Sequence, residues 1–192
     1  TEGPRWPECD PDASYQAITF VHTNDLHATY TPLDLGDGVP ISPVARVRGF
    51  YEEVKAEQPY TLLTSGGDDH EKGSVAEPLS EGYATLEVVQ ATGFDVRVIG
   101  NHDFAWGPEE FLDFTADPTA LVIASNTTYD GPEPDRYRAV PYGELQVGCV
   151  TIGFFGMVSK PWNERNQQYT GDFFPDGDFH TTYDYADIAE QI

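Results

Sequence analysis

Four short polar clusters carry the residue types that do chemistry. They are Asn24-Asp25-Leu26-His27, Gly66-Gly67-Asp68-Asp69-His70-Glu71, Gly100-Asn101-His102-Asp103 and Ser125-Asn126. Carboxylates, imidazoles and a carboxamide oxygen, with no thiolate among them, suit a divalent cation such as Mn, Fe, Zn, Mg or Co. Asp25 and His27 are two residues apart, so at an extended strand end both side chains face the same way. Asp68 can bridge two ions through its two oxygens, and Asn101 can offer a neutral carbonyl oxygen. The neighbouring glycines let the backbone turn sharply and approach an ion or a phosphate.

Each cluster follows a stretch that reads as a β-strand. AITFVHT (17–23), YTLLT (60–64), DVRVIG (95–100) and ALVIAS (120–125) are apolar and β-rich, and each ends at one cluster. Helical signals fall between them. Ser42-Pro43 opens a helix along which Val44, Val47, Tyr51 and Val54 keep helical spacing. A second helix spans about Ala84 to Ala91 and stops at Gly93, and Pro108 starts a short one through Phe114. Alternating strands and helices predict an α/β fold, and ligands of open α/β sheets bind outside the carboxyl ends of the strands. RYRAVPYGELQVGCVTIGFFG (136–156) is expected to form paired strands turning near Tyr142-Gly143. Residues 161–183 read as a long loop, with a final short helix from about Tyr185. Residues 1–16 read as an irregular lead-in and 17–192 as one domain.

Composition narrows the function. The chain has 192 residues with 10 basic and 33 acidic side chains, a formal net charge of −23. Such a surface repels phosphate backbones, which excludes nucleic-acid binding through a basic face. With 11 Phe, 11 Tyr and 3 Trp the chain is too aromatic for a disordered acidic tail. No apolar run is long enough to span a bilayer. The opening TEGPRWPECD has no signal-peptide character, although a mature product trimmed after its signal would read the same. Cys9 and Cys149 allow one disulfide in an exported protein, while Cys149 also reads as a buried thiol in an apolar strand.

HTNDLHA (22–28), SGGDDHEKGS (65–74) and GNHDFAWG (100–107) resemble the first three motifs of the calcineurin-like metallophosphoesterases, in their 5′-nucleotidase-like branch. The resemblance covers about residues 17–158. It implies a four-layer α/β/β/α sandwich, here incomplete at its C-terminus, with two divalent metal ions at the sheet edge. It makes Asp25 and His27 ligands of one ion, Asp68 the bridge and Asn101 a ligand of the second. It makes His102 a catalytic acid rather than a ligand, and gives Asn126 either a structural place or one near the substrate. Two departures stand out. Many nucleotidases read Asn-His-Glu-Phe-Asp, whose last Asp orients the catalytic His, and Ala105 occupies that position here. Glu71 and Asp103 are the candidate replacements. The family's later His ligands have no counterpart among His22, His27, His70, His102 and His180: His22 is expected to point away from the site, His180 to be a loop residue and His70 to reach substrate.

The implied activity is metal-dependent hydrolysis of a phosphate ester such as a nucleotide, with further catalytic residues and a C-terminal substrate domain expected downstream. The competing expectation is a non-catalytic metal-binding or surface protein that keeps the fold. The expected location is periplasmic, extracellular or at the cell surface, with the cytoplasm left open.

Overall fold

The computed structural model of the chain describes residues 5–36, 38–159, 162–163, 168–169, 172–174 and 177–192. Strands β1 (Thr19–Thr23), β2 (Thr61–Ser65), β3 (Val96–Val98) and β4 (Leu121–Ile123) form one parallel sheet in the order β1-β2-β3-β4. Parallel neighbours require crossovers, and the intervening helices supply them. Helix α1 (Pro43–Glu57) joins β1 to β2, and α2 (Ala76–Leu79) with α3 (Tyr83–Thr92) joins β2 to β3. Helix α4 (Pro108–Thr115) joins β3 to β4. Pro43 occupies the first turn of α1, where a missing N–H costs nothing. Gly93 ends α3 at φ 70°, a left-handed cap that other residues adopt only with strain.

Strand alternation divides the sheet into two faces. Val21 and Leu63, paired across β1 and β2, form a core with Tyr51 of α1, Val89 of α3 and Phe94. The register puts Phe20, Val98 and Leu121 on the other face. There Phe20 meets Phe154 edge-on at 6.5 Å between ring centres. Phe154 ends a hairpin of β6 (Gly143–Val147) and β7 (Val150–Phe154). A helical layer, the parallel sheet and this hairpin are thus stacked in that order.

The hairpin turns at Gly148-Cys149, not near Tyr142-Gly143. Gly148 has φ 59°, as a two-residue turn with glycine at its first central position requires. Gly143 instead opens β6, and a Cβ there would stand 2.7 Å from the Leu121 side chain.

The stretch expected as a long loop also contains order. Strand β5 (Thr127–Tyr129) pairs antiparallel with β10 (Phe179–Thr181). Phe179 is buried, 5.1 Å from the Phe111 ring and 4.7 Å from that of Tyr129, so one aromatic anchors β10 to α4 and β5. The two-residue strands β8 (Trp162–Asn163) and β9 (Gln168–Tyr169) pair with each other. Other parts of that predicted loop, at 161, 164–167, 170–171 and 175–176, lie outside the described residues. Helix α5 (Tyr185–Gln191) stands where the sequence predicts a final helix.

Residues 5–16 form no regular element, yet they are strapped to the domain. Cys9 and Cys149 form a disulfide across a sequence separation of 140. The Gln16 amide donates to Val147 O at 2.6 Å and accepts from Cys149 N at 2.8 Å. Trp6 Nε1 donates to Thr61 O at 2.9 Å. Closing so long a loop removes much entropy from the unfolded chain. The Cys9→Ser/Cys149→Ser variant should therefore lose about 2–4 kcal/mol of stability, measured as a lower urea midpoint with a steeper slope, because the unfolded chain without the cross-link exposes more surface.

Candidate metal centre

The loops after β1, β2 and β3 meet at one sheet edge, and backbone hydrogen bonds zip the first two together. Asp25 N donates to Gly67 O (3.0 Å), His27 N to Asp68 O (2.9 Å) and Ala28 N to Asp69 O (2.8 Å). Ser74 N then donates to Ala28 O (2.9 Å). This ladder holds Asp25, His27, Asp68 and Glu71 at φ 55°, 43°, 56° and 67°. The left-handed region is costly for such residues, and it recurs where surroundings fix a functional side chain. The third loop lies directly on the second: a Cβ at Gly100 would stand 2.4 Å from Asp68 N.

Within this frame, ligand atoms of His27, Asp68 and His102 all come within 4.8 Å of one another. Asp25 Oδ1 lies 3.5 Å from His27 Nε2, and the Asp25 carboxylate also receives the Asn24 amide. The His27 and His102 rings meet edge to face at 4.5 Å. His102 N donates to Asp68 Oδ1 at 2.8 Å. Asn101 sits half-buried between Gly100 and His102, at the start of a short 3₁₀ turn. The structure thus brings Asp25, His27, Asp68 and His102 together and leaves Asn101 on the same strand end.

The donor set fits a divalent cation. His27 Nδ1 is buried with no hydrogen-bond partner among the described residues, on a ring whose Nε2 lies beside the Asp25 carboxylate. Burial pushes the Asp68 carboxyl above the usual carboxylate range, partly offset by the His102 N–H. A cation held there would reverse that push.

Glu71 and Asp103 were both candidate partners for His102, and the structure separates them. His102 Nδ1 is hydrogen-bonded to Glu71 Oε2. Asp103 is 1% exposed and turned elsewhere. Its Oδ2 accepts from Gly100 N (2.8 Å) and Asp68 N (3.2 Å). Its Oδ1 accepts from Asp69 N (3.0 Å) and His70 N (3.1 Å) and meets His70 Nδ1 at 2.9 Å. Burial alone would raise its pKa, but the His70 contact, the Gly100 N–H and Arg97 outweigh it, and the net shift is downward. Asp103 therefore stitches two loops together and does not orient the His102 ring.

One further expectation is corrected: His70 was expected to reach substrate, yet it is fully buried and stacked on Phe114 at 3.9 Å. Asn126, expected to be either structural or near the substrate, has its amide engaged within the fold. Its Nδ2 donates to Val158 O (2.9 Å) and Thr182 O (3.0 Å), and its Oδ1 accepts from Val158 N (2.8 Å). The remaining histidines stay out of the cluster. His22 bonds Thr64 Oγ1 at 2.9 Å on the hairpin face of the sheet, and His180, on β10 rather than a loop, pairs with Asp130 at 3.2 Å.

Sequence reasoning missed two buried groups. Arg97 pairs with Asp69 at 3.1 Å and Asp117 at 3.0 Å beneath the loops. Glu77, fully buried on α2, accepts from the backbone of Glu71 and from Trp106. No local pattern marks either, because their partners lie far along the chain or in another loop. For the cation site itself, Asp68→Asn should weaken Mn²⁺ binding at least about 10-fold in a calorimetric titration. His22→Gln, on the other sheet face, should leave that affinity unchanged.

No protein-family model matches the chain. Rat 5′-nucleotidase is 26% identical over 166 residues, which cover 82% of this chain and 28% of the rat protein. The solved 5′-nucleotidase of Thermus thermophilus superposes with a TM-score of 0.71 at 24% identity, over 91% of this chain and 33% of that one. A calcineurin-like phosphoesterase of Bacillus subtilis gives 0.60 at 19% identity, over 91% and 56%. The chain spans less than a third of the rat relative's length. It has the calcineurin-like metallophosphoesterase fold, and its sequence is similar to that of 5′-nucleotidases.

Proposed function

We propose that the chain carries the catalytic edge of a metal-dependent phosphoester hydrolase of 5′-nucleotidase type. The observation that supports this best is one juxtaposition: an imidazole tethered by a carboxylate, beside a carboxylate and imidazole cluster suited to cations. Asp25, His27, Asp68 and Asn101 would hold two divalent ions. Bound there, such ions supply Lewis acidity toward the phosphoryl oxygens and an acidified water.

The chain's own residues do the rest. Asp25, Asp68 and Glu71 are all acidic, within a chain of net charge −23, so the bare edge repels a phosphate ester. Substrate binding would therefore depend on the cations that Asp25 and Asp68 help to hold. Glu71 fixes the His102 ring through Nδ1, which leaves Nε2 to carry a proton to the departing ester oxygen. A charged His102 also offsets negative charge that develops on the phosphoryl group. Ala105 leaves the usual partner position empty of a carboxylate, and Glu71 takes the role from another loop. That supply of a carboxylate removes Ala105 as an argument for a non-catalytic protein.

A nucleoside monophosphate is the proposed ester, by similarity to the nucleotidases. The Cys9–Cys149 disulfide supports a place outside the reducing cytoplasm, in the periplasm, at the cell surface or beyond it.

Turnover of 5′-AMP and p-nitrophenyl phosphate with added Mn²⁺ tests the reading. His102→Ala should lower kcat by about 10² or more while bound Mn²⁺ is unchanged. Loss of metal together with activity would instead make His102 a ligand.

A further inference from the structure

Glu71 stands in an unusual piece of backbone. Glu71, Lys72 and Gly73 are consecutive left-handed residues, at φ 67°, 69° and 56°. Two of the three carry side chains that disfavour this region, so something outside the segment must hold it. The far end is held by packing, since a Cβ at Gly73 would stand 2.0 Å from His27 O. The near end is held by Glu77.

Glu77 is fully buried, and its three hydrogen-bond partners are uncharged donors. Its Oε1 accepts from Glu71 N at 2.8 Å and from Trp106 Nε1 at 2.8 Å. Its Oε2 accepts from the Thr85 hydroxyl. Trp106 follows Ala105 directly and lies over Gly82, where a Cβ would stand 2.7 Å from the indole. One carboxylate thus ties the residue that carries Glu71 to the loop that carries His102. It also anchors both to α3.

We propose that Glu77 is a positioning residue for proton transfer, holding Glu71 against His102 through the backbone of residue 71. This rests on the Glu71–His102 pair acting as proposed above. With Ala105 in place, the ring's carboxylate comes from a different loop, and its placement depends on whatever fixes that loop. An oxygen accepting two N–H donors is the requirement, so glutamine can meet it. The amide oxygen would keep Glu71 N and Trp106 Nε1, and the amide nitrogen would turn to the Thr85 hydroxyl.

The test combines NMR of the metal-free protein with turnover in Mn²⁺. In wild type and Glu77→Gln, the His102 Nδ1–H proton bonded to Glu71 should give a downfield resonance. Glu77→Ala should lose it while remaining folded. In turnover, Glu77→Ala should lower kcat about 10-fold with KM within about 2-fold, the cost of a misplaced catalytic group. Placed in a Glu71→Gln background, the same change should add little, because Glu77 acts through Glu71. Where Glu77→Ala does not fold, Thr85→Val frees Oε2 without emptying the pocket and should shift the resonance and kcat in the same direction. A Glu77→Ala protein with the wild-type resonance and kcat overturns the proposal, as do equal losses in both backgrounds. If Glu71→Gln itself leaves resonance and kcat untouched, the Glu71–His102 reading has failed instead, and the proposal falls with it.

Discussion

The carboxylate of Asp103 gathers the backbone N–H groups of Asp68, Asp69, His70 and Gly100. Those four groups belong to two loops that His102 also ties together, from its N to Asp68 Oδ1 and from its ring to Glu71. Burying a carboxylate is costly unless its lone pairs are filled, and here N–H donors from both loops fill them. The stitch is therefore stable only in the arrangement that brings Asp68 beneath His102. Replacing Asp103 by an apolar residue would leave four buried donors unsatisfied, which is worse than never having formed the network.

The stitch continues into the sheet. His70 completes Asp103 Oδ1 and stacks on Phe114 of α4, so the loop is fixed to a helix as well as to its neighbour. Asp69 points the other way, to Ser65 Oγ at 2.8 Å and to Arg97. Burial pushes the Asp69 carboxyl up, and Arg97 opposes it. Arg97 itself is held charged by Asp69, Asp103 and Asp117 against its own burial. Removing one partner from such a buried set strands charge in the core, at about 3–5 kcal/mol. Consecutive residues of one motif thus do different work: Asp68 faces the cation site, while Asp69 and His70 anchor it.

That division explains what the sequence disclosed and what it hid. The parallel strands, Pro43 and Gly93 are readable because periodicity, caps and breakers are local. The convergence of Asp25, His27, Asp68 and His102 is readable because strand ends share one edge. Whether Asp103 or Glu71 meets His102 is not local: both are acids near the histidine in sequence or motif, and the choice is made by the φ of residue 71 and the burial of residue 103. Which of its two places Asn126 takes is not local either, because the partners of its amide, Val158 and Thr182, are 32 and 56 residues away. The β5–β10 pair escaped for the same reason, as two three-residue strands joined across about fifty residues carry no periodic signal.

Charge and strain at the site have a common origin. Four acidic or imidazole-bearing residues occupy left-handed backbone, and their side chains converge although several repel one another. Neither feature would survive in an isolated loop, where each residue would relax and the carboxylates would separate. Both persist because the hydrogen-bond ladder between the first two loops, and the Asp103 stitch between the second and third, leave no room to relax. The ligand atoms are consequently placed before any cation arrives. On the proposed reading, a cation would meet donors whose ordering cost has already been met in folding, and the ester would meet a His102 ring already held by Glu71. The acidic coat fits that order of events, since a phosphate ester would be repelled by the bare carboxylates until cations neutralise them.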